Sequence, residues 1–158
     1  MNVIPLIGSS LKSDDIIELL EHWDAEVVYE FDRLNENTPD IYRVTAHAAG
    51  IELLFDDCQV LTTAFLRVLP SDGFSPFDID NSDIQAWWSI QEARGFAALS
   101  RVAATEGNAT FLGTTRDWIK LKYKTHTVHY EFIGGRLNLV TVALGADVTQ
   151  SVQPEQST

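Results

Sequence analysis

The strongest constraint in this sequence is a pair of alternating apolar runs, each folded about a tight turn. In GIELLFDDCQVLTTAFLRV, Ile51, Leu53 and Phe55 alternate along one run, Asp56-Asp57-Cys58-Gln59 forms a tight connection, and 60–69 returns. In TVHYEFIGGRLNLVTVAL, Val128, Tyr130 and Phe132 share a face, Gly134-Gly135 is a two-residue hairpin turn, and 136–144 returns. A period of two is the signature of a strand with one buried face. Turns this short require antiparallel pairing. Ile51, Leu53, Phe55 and Val60 align with Val128, Tyr130, Phe132 and Leu137 at one constant offset, and each hairpin follows a helical segment. The alignment points to an internal repeat of helix and hairpin.

The remaining elements are read around these hairpins. Ser13 is placed to cap a helix, Asp14 and Asp15 suit its positive N-terminal dipole, and Ile16, Ile17, Leu19, Leu20 and Trp23 give it an apolar face. Residues 25–34 and 41–47 read as strands around the turn NENTPD. Residues 70–82 form a loop with two prolines and a glycine. Residues 81–104 read as mainly helical, capped by Asn81 or Ser82, with Ile84, Trp87 and Trp88 on one face and Gly95 as a dividing point; 106–108 ends that stretch. Residues 118–123 read as a further strand. The expected fold is therefore α+β, a curved antiparallel sheet with helices packed mainly on one face. A single domain is expected over 1–144, followed by a flexible polar tail at 145–158.

Charge limits the partners. The chain has 158 residues and a net charge of −12. Residues 1–90 carry 17 acidic and 4 basic side chains, whereas 91–158 carry 6 and 7. An acidic field of this kind repels nucleic acid and anionic membranes and attracts basic surfaces. One cysteine, Cys58, precludes an internal disulfide and suits a reducing compartment. The N-terminus lacks a basic leader, and no apolar run has the length of a membrane span. A cytoplasmic protein, monomeric or weakly dimeric, is expected.

Catalytic and metal-binding patterns fail on inspection. His126 and His129 are three apart in a strand, so they lie on opposite faces and cannot chelate one ion from regular geometry. Cys58 follows Asp56 and Asp57, which oppose thiolate formation. The run from Asp78 begins like a calcium loop, but it places Asp83 and Ser89 where glycine and glutamate are required. The phosphate loop, the dinucleotide fingerprint and the nucleophile elbow are missing. Lys120, Lys122 and Lys124 share a strand face and read as a solvent face or a guarded edge. No catalytic residue, metal or cofactor is expected, and the chain reads as a non-enzyme.

A binding element is expected instead in the irregular loop and the segment after it. Asp72, Phe74, Phe77, Asp78, Asp80, Asp83 and Trp87 are the candidate partner-binding residues, with Trp88 beside them. Interface anchors are commonly aromatic, and a charged rim sets association rate and partner choice.

The order of a capped helix, GIELLFDDCQVLTTAFLRV, a loop containing Gly73-Phe74, a second helical region and WIKLKYKTHTVHYEFIGGRLNLVTVAL resembles the small immunity proteins that bacteria encode beside polymorphic toxins. The likeness covers most of 10–144 and is one of texture, without a diagnostic motif. It implies a cytosolic inhibitor that binds a cognate toxin domain, commonly a basic nuclease, and carries over no catalytic residues. The hairpin around Phe55-Asp56-Asp57 is also similar to that of acidic secretion chaperones, which hold an effector in extended form. A small hydrolase using loop carboxylates is the reading from a different class.

Overall fold

A computed structural model describes residues 1–146. The tail expected at 145–158 lies outside the described residues beyond Ala146. Eight strands form one open antiparallel sheet in the order β1-β2-β3-β4-β8-β7-β6-β5. They are β1 (Val27–Glu30), β2 (Ile41–Ala46), β3 (Ile51–Phe55), β4 (Leu61–Arg67), β5 (Ala103–Phe111), β6 (Thr114–Lys122), β7 (His126–Ile133) and β8 (Arg136–Leu144). Helix α1 (Asp14–Trp23) precedes β1, and α2 (Ile90–Ser100) precedes β5 and packs on β5 and β6.

Register explains the core. Val44, Leu53, Ala64, Val142, Val128 and Leu121 form one continuous row across six strands. Ala46, Ile51, Leu66, Val140, Tyr130 and Ile119 form the next. Every side chain of both rows is buried. The alternate residues, among them Arg43, Glu52, Phe65, Thr141, His129 and Lys120, face the other way and none is fully buried. The core thus lies on one face, where Ile16 of α1 and Ala93 and Ala97 of α2 close it.

The two halves of the chain follow the same plan of one helix and four strands. Ser13 and Ser89 stand at the two helix N-termini, 76 residues apart, and both helices end in a left-handed residue, Asp24 and Arg101. The β3–β4 register shifts between Leu54 and Phe55, and the β7–β8 register shifts between Glu131 and Phe132, 77 residues later. The alternation shared by the two hairpins therefore reflects a shared place in the sheet, including a shared irregularity. The constant offset expected through Val60 does not hold: Phe55 pairs with Leu61 and Phe132 with Leu137, so the first turn is one residue longer and the returning strands match at 76 rather than 77.

Four expectations need correction. Residues 81–104 are not one helical region: 82–89 is irregular, α2 begins at Ile90, and the strand β5 begins at Ala103. The cap of α2 is Ser89, whose Oγ accepts from the Glu92 N–H at 3.2 Å, and neither Asn81 nor Ser82 serves. Ser13 sits at the N-cap of α1, but its hydroxyl makes no capping bond and is buried without a partner. Gly95 does not break α2, because its exposed side meets open space and costs only helix propensity.

Candidate functional site

The loop between β4 and α2 is pinned at four places. The Phe77 N–H donates to the Arg67 carbonyl at 2.7 Å, and the Ser75 N–H donates to the His47 carbonyl at 2.9 Å. Gly50 lies against the same loop, where an added Cβ would come within 2.4 Å of the Ser75 carbonyl oxygen and 2.5 Å of the Phe77 nitrogen. Asp83 accepts from the Val3 N–H at 2.7 Å and the Ile4 N–H at 3.0 Å, which ties the N-terminal strap to the loop. The terminal ammonium adds a bond to the Asn81 carbonyl at 2.7 Å. Ile79 and Ile84 point into the core.

These anchors divide the seven candidate residues. Phe77 is buried in the main core. Phe74 is also buried, packed on the His47 ring at 4.5 Å and beneath the Arg67 guanidinium at 4.4 Å. Asp83 is engaged by the backbone of the N-terminal strap. Trp87 is half-buried against Phe96 at 4.9 Å. Burial pushes the nearby Tyr130 hydroxyl well up, and the Trp87 indole N–H opposes this only slightly, since it makes no hydrogen bond of good geometry. These four support the loop. Asp72 is exposed on a left-handed turn, 3.9 Å from the Arg67 guanidinium. Asp78 and Asp80 are exposed as well, with Asp78 accepting from the Asn81 amide at 2.8 Å.

The exposed aromatic of this region is Trp88, which is 59 % exposed, rather than Trp87. It stands between two shallow concavities. One, of 310 Å³, is lined by Asp80, Ser82, Asp83, Ile84 and Gln85. The other, of 370 Å³, is lined by Val68, Leu69, Asp78, Arg136 and Leu137; Ile79, Asp80 and Trp88 belong to both. The sequence places Trp87 and Trp88 together on one helix face. With 82–89 irregular, the two indoles part, and the Trp88 N–H of the backbone is held by the Glu92 carboxylate at 3.0 Å. Only the cap at Ser89 with Glu92 three residues on signalled this in the sequence.

An indole face beside two carboxylates is suited to a basic side chain. The ring offers a cation–π surface, and the carboxylates offer charge-assisted hydrogen bonds. Cations offset part of this charge, since Arg67 pairs with Asp72 at 3.9 Å and Arg136 lines the second concavity beside Asp78 and Asp80. Arg43 is held by Glu30 at 2.8 Å and Glu52 at 2.7 Å, and Arg67 is stacked on Phe74.

Elsewhere, ligand atoms of Asp56, Asp57 and Cys58 lie within 4.8 Å of one another in the β3–β4 turn. Asp56 is already used by that turn, accepting from the Val60 N–H at 2.9 Å. The negative charges of Asp57 and Asp56 raise the Cys58 thiol above its ordinary range, so it is held as a thiol. His126 and His129 are both shifted down by burial, as neutral imidazoles within the sheet. Among the described residues, no helix is long and apolar enough to cross a membrane. Comparisons with family models, with curated proteins and with solved structures return no match.

Proposed function

We propose that this chain is an immunity-type inhibitor that binds and neutralises a basic toxin domain of the nuclease class through the acidic surface around Trp88. The observation that carries the reading is Trp88 standing exposed between two concavities that Asp80 shares and Asp78 borders. The net charge of the first half supplies the long-range part, since an acidic surface imitates nucleic acid toward a basic active site and speeds encounter. The anchored loop supplies the short-range part, because a binding surface held before contact loses little entropy on binding.

The partner is to be recovered from the cells that encode the chain, by affinity purification and mass spectrometry. The reading expects a folded, basic domain at one to one, whose activity the chain suppresses. Recovery of an unfolded effector favours the chaperone reading. A chain that hydrolyses a substrate by itself favours the enzyme.

A further inference from the structure

The two edges of the sheet are built differently. At one end, β1 has four residues, and it leads into a turn containing Pro39, where the Tyr29 hydroxyl is bound to Asp40 at 2.6 Å. Shortness, charge and proline are the usual guards of an edge. At the other end, β5 runs nine residues, AATEGNATF, with neither proline nor lysine, and is paired with β6 along its whole length. Apart from Glu106, which Arg94 engages, its side chains are small or short up to Phe111, and eight of its nine residues are exposed.

The pairing pattern of that edge follows from its turn. Leu112 and Gly113 both have positive φ, 48° and 78°, which is the two-residue turn that matches strand twist. Phe111 and Thr114 therefore close the hairpin as a hydrogen-bonded pair. Alternation commits the backbone groups of Ala103, Thr105, Gly107, Ala109 and Phe111 to β6. Those of Ala104, Glu106, Asn108 and Thr110 point outward from the sheet.

We propose that β5 pairs antiparallel with β5 of a second copy of this chain, about a two-fold axis at Gly107, to form a weak dimer with one continuous sheet. This register sets Glu106 opposite Asn108 and Ala104 opposite Thr110, all from the outward-bonding set. Like charges do not meet, and Glu106 is in addition neutralised by Arg94 at 2.9 Å. Gly107 fits the axis because Trp118 lies over it: an added Cβ would come within 2.9 Å of the indole. The same register places Phe111, which is 67 % exposed, opposite Ala103 on the face away from the helices. There a concavity of 430 Å³ is lined by Ala103, Thr105, Lys120, Lys122, Thr127 and Ala143. Each copy thus offers one phenylalanine and one receiving hollow, as an isologous contact requires. Charge permits it, since β5 belongs to the near-neutral half, and strands β1–β4, which come from the acidic half, lie at the outer ends of the joined sheet.

The inference does not depend on the proposed toxin. Sedimentation equilibrium of the full chain tests it, with an expected dimer dissociation constant on the order of 10–100 μM. Asn108→Pro removes an outward N–H that the single chain does not use, so it should fold with an unchanged thermal midpoint and weaken association at least about tenfold. Phe111→Ala should weaken it by roughly the same factor while leaving the backbone ladder in place. A chain still monomeric near about 1 mM would overturn the proposal. So would a dimer that both variants leave intact, which would assign the contact to another surface.

Discussion

Phe65 of β4 lies directly opposite Thr141 of β8, and the two residues, 76 apart, hold equivalent places in the two halves of the chain. The seam at the centre of the sheet is therefore close to a local two-fold axis, and its core side is one buried row, Leu66 against Val140 and Ala64 against Val142. Neither half closes its core alone. Urea unfolding is expected to be a single transition by circular dichroism and by tryptophan fluorescence. Leu66→Ala should lower the stability of both halves together, by about 2–5 kcal/mol. Two separate transitions would show that the halves fold independently.

Gly50 fixes the loop that carries the acidic surface. It has a φ of 68°, and backbone atoms of Ser75, Pro76 and Phe77 occupy the space a side chain would need. Gly50→Ala forces the backbone apart at a strained position, with an expected cost of roughly 2–4 kcal/mol. Amide exchange should rise in the loop from Ser71 to Asp78 before it rises in β7 and β8.

Asp83 belongs to stability rather than to binding. Its carboxylate takes both the Val3 and the Ile4 N–H groups. Asp83→Ala should cost about 1–3 kcal/mol, or several degrees in thermal midpoint, by leaving those donors unpaired. Association with a basic partner should change far less than folding does.

His129 gives the fold an acid limit. Burial is the main cause of its lowered pKa, Lys120 adds to it, and Glu131 opposes it. A folded pKa below the ordinary 6.5 means that the unfolded chain takes up the proton more readily. Stability is then complete above that value and is lost as pH falls through the folded pKa. Chemical denaturation between pH 7 and about pH 5 should show this loss, and His129→Gln should flatten it. An unchanged slope would assign the effect to other groups.

The sequence made the hairpins legible because each strand there has one buried and one open face. The strand β5 escaped notice for the opposite reason. As an edge it buries only Gly107 in part, so AATEGNATF has no alternation to read. The candidate residues lie along one irregular stretch of chain, yet their roles divide in space. Periodicity could not show that Phe74 and Phe77 turn inward, or that Asp83 is held by residues some 80 positions away. The placement of Trp88 depends on where α2 begins, and the irregular run of 82–89 hid that boundary.

The most direct test of the proposed inhibitor is the association rate of this chain with the domain it recovers from its own cells, measured by stopped-flow fluorescence at low and at physiological salt. With Asp78→Lys and Asp80→Lys combined, the rate at low salt is expected to fall about tenfold or more, and its salt dependence should flatten, with the thermal midpoint of the chain unchanged. Trp88→Ala should act on the dissociation rate instead. Equal rates and equal salt dependence for the native chain and the double variant would contradict the assignment of the acidic surface around Trp88 as the site of inhibition.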